Sequence, residues 1–126
     1  MAGILIVEDD RDMREMLKTT LLKRKYSVQE ASNGMEAITK FKPALTDLVI
    51  TDLIMPDEDG LKVIMRLKEM KPDLKIVAIS GGGKAGPANY LSLARALGAD
   101  VVLPKPFSIN DLISKIEVLI EPEQLT

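Results

Sequence analysis

The 126 residues include no cysteine and no histidine. The first absence removes a disulfide framework and thiolate chemistry. The second removes histidine metal sites, Ser-His triads and any phosphohistidine carrier role. Aromatic residues are confined to Tyr26, Tyr90, Phe41 and Phe107, a poor supply for stacking on a flavin ring. No apolar run approaches the roughly 20 residues of a membrane span, and "MAG" at 1–3 enters a strand-like run without the basic flank of a signal peptide. Neither sign of charge dominates: 17 Lys plus Arg stand against 19 Asp plus Glu, a net charge of -2. That balance leaves no electrostatic footprint for nucleic acid or an anionic membrane. The expectation is one soluble, cytoplasmic domain that neither enters the bilayer nor binds DNA directly.

What the chain does have is alternation. Short apolar runs at 4–7, 48–51, 76–79 and 101–103 suit strands covered on both faces, and three of the four are rich in β-branched residues. A fifth run, "SVQEA" at 27–31, is polar enough for a sheet edge. Helical periodicities lie between them: Met13, Met16, Leu17, Thr20 and Leu21; Ala37, Ile38 and Phe41; Leu61, Ile64 and Leu67; Leu91, Ala94 and Leu97. The clearest stripe is Ile109, Leu112, Ile113, Ile116, Leu119 and Ile120. Ser108 with Asp111, and Asn33 with Glu36, mark helix starts in capping-box spacing. Met13, Met16 and Met65 are read as core filling. Five β-α units in series predict a doubly wound α/β domain with a parallel sheet and helices on both faces. The domain is expected to span 1–121, with 122–126 as a frayed tail.

In such sheets chemistry collects at the carboxyl ends of the strands. Strand one ends in Glu8, Asp9 and Asp10, strand three in Asp52 and strand four in Ser80, while strand five is followed by "PKPF" with Lys105. Carboxylates converging on one rim repel, and the usual remedies are a raised pKa or a bound cation. With oxygen ligands alone, Mg²⁺ is the natural cation. Asp52 would then be a nucleophile toward phosphorus, forming an aspartyl phosphate. Mg²⁺ and Lys105 would offset charge on the phosphoryl oxygens, and the Ser80 hydroxyl would donate to one of them.

Plainer readings compete. Asp10 fits the N-cap of the first helix better than a ligand position. Asp52 alone would serve equally as a loop cap, Ser80 as a turn residue and Lys105 as a solvated charge; together they argue for a site. "SGGGKAGP" at 80–87 is not a Walker A motif, because Ala78 stands where its first glycine belongs and Ala85 follows Lys84. It reads instead as a mobile glycine-rich loop.

The motifs "ILIVEDD" at 4–10, "DLVITDLIMPDEDG" at 47–60, "VAISG" at 77–81 and "GADVVLPKPF" at 98–107 together resemble the receiver domains of two-component response regulators. The resemblance covers essentially the whole chain. It implies a flavodoxin-like, CheY-like (βα)5 sandwich with its five-stranded parallel sheet in the order 2-1-3-4-5. It implies Asp52 as phosphoacceptor, and Asp9 and Asp52 as direct Mg²⁺ ligands. Glu8 would act through water, and the backbone carbonyl of Ile54 would complete the ligand set. Ser80 takes the switch position, and Lys105 precedes a cis proline bond at Pro106. The implied partners are a histidine kinase or histidine phosphotransfer protein as donor, meeting the first helix, and an unidentified target protein meeting the fourth helix, fifth strand and fifth helix. Phosphorylation-linked dimerisation is compatible with such a domain.

Two positions depart from the family pattern. Val102 occupies the place of the aromatic switch residue, so the signal is expected to travel through the loop after Ser80 and the fourth helix. Ile54 and Gly82, two beyond Asp52 and Ser80, cannot orient a water with their side chains, which predicts a long-lived phosphoryl group. The expected protein is a stand-alone, phosphorylation-activated switch, an enzyme only toward its own phosphorylation and dephosphorylation. The alternatives are a receiver cut from a longer regulator and a phosphorylation-independent interaction module; an aspartate-nucleophile phosphatase is disfavoured by Ile54, which stands where its second aspartate belongs.

Overall fold

The computed structural model describes residues 2–55, 58–80 and 88–120; the glycine-rich segment at 81–87, including Gly82, and the tail from 121 lie outside them. Five strands form one sheet: β1 (Gly3–Val7), β2 (Ser27–Ala31), β3 (Leu48–Asp52), β4 (Lys75–Ser80) and β5 (Val101–Pro104). Their order is β2-β1-β3-β4-β5 and every pairing is parallel. The helices are α1 (Arg11–Lys23), α2 (Gly34–Lys40), α3 (Gly60–Met70), α4 (Ala88–Ala96) and α5 (Ile109–Leu119).

Strand periodicity decides which helix lies where. Successive side chains point to opposite faces, so Leu5 and Val7 join a core with Ala37 of α2, Val63, Ile64 and Leu67 of α3, and Ala94 of α4. Ile4 and Ile6 face the other way, onto Leu17 and Leu21 of α1 and Leu112, Ile113 and Ile116 of α5. The central strands β1 and β3 are buried throughout, whereas β2 at the edge alternates with exposed positions, as its polar sequence requires. Burying each large aliphatic side chain contributes about 1.5–3 kcal/mol, so two complete cores hold the sheet between the helix layers.

Local chemistry starts the helices. Asp10, Asn33 and Ser108 cap α1, α2 and α5 as expected, and Asp59 caps α3 by accepting from the Leu61 amide at 2.9 Å. Three details differ from the pattern reading. Met16 and Met65 are 40% and 46% exposed rather than core residues, because each sits one residue, about 100° of helix, from the inward stripe of Leu17–Leu21 and Ile64–Leu67. Only Met13 packs against a core. Between β3 and α3 the chain also makes a short antiparallel pairing, Ile54 with Asp59 and Met55 with Glu58. This turns the chain back so that Gly60 lies on the Leu53 backbone, where a Cβ would come within 2.5 Å of the Leu53 carbonyl oxygen.

Candidate functional site

Register brings the strand ends together. Val7 lies beside Thr51, Asp52 beside Ile79, and Ser80 beside Pro104. The residues at or just after these positions, Glu8, Asp9, Asp52, Ser80 and Lys105, therefore meet at one rim although nearly a hundred positions separate the first from the last. Glu8, Asp52 and Ser80 are 2%, 2% and 4% exposed, while Asp9 is exposed.

Glu8, Asp52 and Lys105 hold one another at the rim. Asp52 Oδ2 accepts from Lys105 Nζ at 2.9 Å and Oδ1 from the Ile54 amide at 3.0 Å. The same ammonium lies 3.4 Å from Glu8 Oε1, and Glu8 Oε2 accepts from the Asp10 amide at 3.2 Å. The Lys105 amide donates to the Ser80 carbonyl at 3.0 Å, which carries the β4–β5 pairing past Pro104 and aims the lysine at the acids. The Lys105–Pro106 bond is cis.

The electrostatics follow from crowding. Burial pushes the Glu8 carboxyl up to about 7; the Asp10 amide opposes this, Asp52's charge adds to it, Lys105 opposes it, and a hydrogen bond with Asp9 adds further. Lys105 loses some basicity to burial, but its hydrogen bond and attraction to Asp52, and then to Glu8, outweigh that and raise its pKa.

One oxygen from each of Glu8, Asp9 and Asp52 lies within 4.8 Å of the others. An all-oxygen set of this kind suits a hard dication and offers no soft ligand to a transition metal. Asp10 stands apart from the set: its Oδ1 accepts from the Asp12 and Met13 amides, so it caps α1. The Ile54 main chain meets Asp52 through its N–H. Val102 is 8% exposed, pairs with Ala78 two residues below Ser80, and packs among Ala78, Ala94 and Ala99.

Sequence reasoning missed Arg14, whose Nη1 donates to the Glu8 carbonyl at 2.8 Å, and its partner Glu30 on β2. The only available signal was a basic residue one helical turn after the Asp10 cap.

Fold and rim together define a doubly wound α/β domain with a lysine-neutralised acidic pocket at the carboxyl end of its sheet. The family model of the response regulator receiver domain matches residues 4–117, and the chain belongs to that family, the receivers of two-component signalling systems. Over 125 residues it is 35% identical to the response regulator receiver protein CpdR of Brucella abortus, covering 95% of this chain and 98% of that one. It is 36% identical to the DNA-binding transcriptional regulator NtrC of Azospirillum brasilense but spans only 24% of that protein. Among solved structures, TrrA of Thermotoga maritima in complex with Mg(2+)-BeF superimposes with a TM-score of 0.80 at 35% identity, covering 95% of this chain and all of that one. Among the described residues, no helix is long and apolar enough to cross a membrane.

Proposed function

We propose that the domain is a phosphorylation-activated switch in which Asp52 accepts a phosphoryl group from a phosphohistidine on a histidine kinase or phosphotransfer protein. The observation that carries this reading is Asp52 itself. It is a buried carboxylate at a strand end, with one oxygen on Lys105, the other on the Ile54 amide, and Glu8 and Asp9 beside it. A carboxylate oxygen attacks phosphorus, the bond from phosphorus to the donor imidazole breaks, and the imidazole nitrogen keeps the electron pair and takes a proton from water. The Lys105 ammonium offsets charge on the phosphoryl oxygens and the Ser80 hydroxyl donates to one of them. Asp9 and Asp52, with Glu8 through water and the Ile54 carbonyl, would hold Mg²⁺, which when bound neutralises charge on the transferred group. The Mg(2+)-BeF complex of the similar TrrA supports this choice of cation.

The domain catalyses only its own phosphorylation and dephosphorylation, in the cytoplasm, and signals by protein binding or onward phosphotransfer. With the small Val102 at the switch position, the change at Ser80 passes through the following loop and α4.

The test is intact mass after incubation with acetyl phosphate and Mg²⁺, beside Asp52→Ala and a metal-free control. One phosphoryl adduct that requires both Asp52 and Mg²⁺ is expected. No adduct from a protein shown to bind Mg²⁺ would overturn the switch and leave a constitutive interaction module.

A further inference from the structure

Side chains on a helix lean back toward its N-terminus, so Arg14, one turn into α1, reaches over the Asp10 cap to the rim. Among the described residues its guanidinium has two partners. Nη1 donates to the Glu8 carbonyl at 2.8 Å and Nε to Glu30 Oε1 at 3.1 Å. Lys18, a turn further on, takes the other Glu30 oxygen at 2.9 Å, and Lys40 of α2 donates to the Glu30 carbonyl at 2.8 Å. Glu30 is thus fixed from α1 and α2, and Arg14, only 17% exposed, is fixed between Glu30 and the peptide that joins Glu8 to Asp9.

A cation this close to Glu8, Asp9 and Asp52 would ordinarily turn onto the carboxylates and compete with a dication. Here it binds a neutral carbonyl instead, and among the described residues the carboxylate it bonds is that of Glu30 on the edge strand.

We propose that Arg14, restrained by Glu30, is a positioning residue for the cation site: it orients the Glu8–Asp9 peptide so that both side chains present oxygens to the cation, and Glu30 keeps the guanidinium off those oxygens. This rests on the Mg²⁺-dependent reading above. The two possible roles of Arg14 predict opposite signs. If it acted only as a nearby positive charge, its removal would tighten Mg²⁺ binding; if it positions the peptide, its removal loosens binding.

The test is Mg²⁺ titration of the full chain at constant ionic strength, followed by the NMR amide shifts of Asp10 and Ile54, for Arg14→Gln, Arg14→Lys, Glu30→Gln and the Arg14→Gln/Glu30→Gln pair. Arg14→Gln is expected to weaken binding about tenfold, the low end for residues that orient ligands from behind. Arg14→Lys keeps the charge, loses the planar two-pronged grip and weakens binding comparably. Glu30→Gln alone also weakens it, and the double variant is no weaker than Arg14→Gln, because Glu30 acts through Arg14. At saturating Mg²⁺ each variant regains the wild-type rate of phosphorylation by acetyl phosphate. Tighter or unchanged binding in Arg14→Gln, full rescue by Arg14→Lys, or additive losses overturn the proposal; lowered thermal stability with unchanged Mg²⁺ affinity reduces Arg14 to a tie between α1 and β2. A wild-type protein that binds no Mg²⁺ overturns the underlying reading and the proposal with it.

Discussion

Glu8→Gln should stabilise the metal-free protein at neutral pH. In the folded chain the Glu8 carboxyl sits at about 7, against 4.5 for the ordinary group, with burial as the leading cause. A folded pKa above the unfolded one means that the native state binds the proton more tightly. Stability is therefore fully present below pH 4.5 and is lost as pH rises through about 7. Each tenfold change in proton affinity is worth about 1.4 kcal/mol, so ionised Glu8 costs the fold about 3 kcal/mol at most. Glutamine mimics the neutral acid. Its oxygen can still accept from the Asp10 amide; its NH₂ then replaces Oε1, giving up the 3.4 Å contact with the Lys105 ammonium, which keeps its 2.9 Å bond to Asp52.

For 126 residues, at about 2.1 cal/mol/K of unfolding entropy per residue, 2–3 kcal/mol corresponds to a rise in Tm of about 8–11 °C. The assay is thermal unfolding in EDTA at several pH values, wild type against Glu8→Gln. The gap should be absent at pH 4, open between pH 5 and 7, and level off above. Adding Mg²⁺ should raise the wild-type Tm by mass action and narrow the gap, because the variant has lost one acid of the site. A variant no more stable than wild type at pH 7.5, or an equal gap at pH 4 and 7.5, would refute the reasoning.

Gly60→Ala places a Cβ 2.5 Å from the Leu53 carbonyl oxygen and 2.6 Å from its Cα, both backbone atoms. Chemical denaturation should show a loss of about 1–3 kcal/mol, and phosphorylation should slow because Leu53 adjoins Asp52; a neutral variant would deny the contact. Lys25 closes α1 with φ at 70°, its amide on Leu22 and the Tyr26 amide on Leu21, a Schellman geometry that suits glycine. Lys25→Gly should gain about 0.5–1 kcal/mol, read as a higher Tm. Ile54 is 45% exposed beside Asp52, and Ile54→Asn should shorten the lifetime of the phosphoryl adduct once donor is removed; an unchanged lifetime would count against the view that the side chain at this position governs access of water.

The sheet and both helix layers were legible because their signals are periodic. Ile4 and Ile6 against Leu5 and Val7 separate the two cores without knowledge of any contact. The helix starts at Asp10, Asn33 and Ser108 were legible because a cap bonds amides within three residues of itself. The rim was legible because parallel register carries every strand end to the same edge, which assembles Glu8, Asp52, Ser80 and Lys105 from four separate motifs. The Ile54–Asp59 pairing was not, since two residues per strand are too few to display a period. Met16 and Met65 failed for a related reason: composition marks methionine as core filler, but one residue of helix rotation decides which way it points.

The long cations mark a more general boundary. Lys105 taken alone reads as a solvated surface charge, and so do Lys40, Lys68 and Lys71. Yet Lys40 donates to the Glu30 carbonyl at 2.8 Å, Lys68 to the Leu74 carbonyl at 2.7 Å, and Lys71 to the carbonyls of Thr46 and Pro43 at 2.7 and 2.9 Å. Each satisfies a backbone group at a strand or loop that the sheet ladder leaves unpaired. A four-carbon stem lets the ammonium reach targets up to 28 positions away in sequence, so neither the identity nor the spacing of the target is encoded near the lysine. Arg14 follows the same rule at the rim, where its grip on the Glu8 carbonyl requires α1, β1 and the β2 edge to be in place. The pattern of apolar residues therefore specifies where the acids of the site go, whereas what steadies them is settled only once the fold has brought distant main chain within reach of flexible cations.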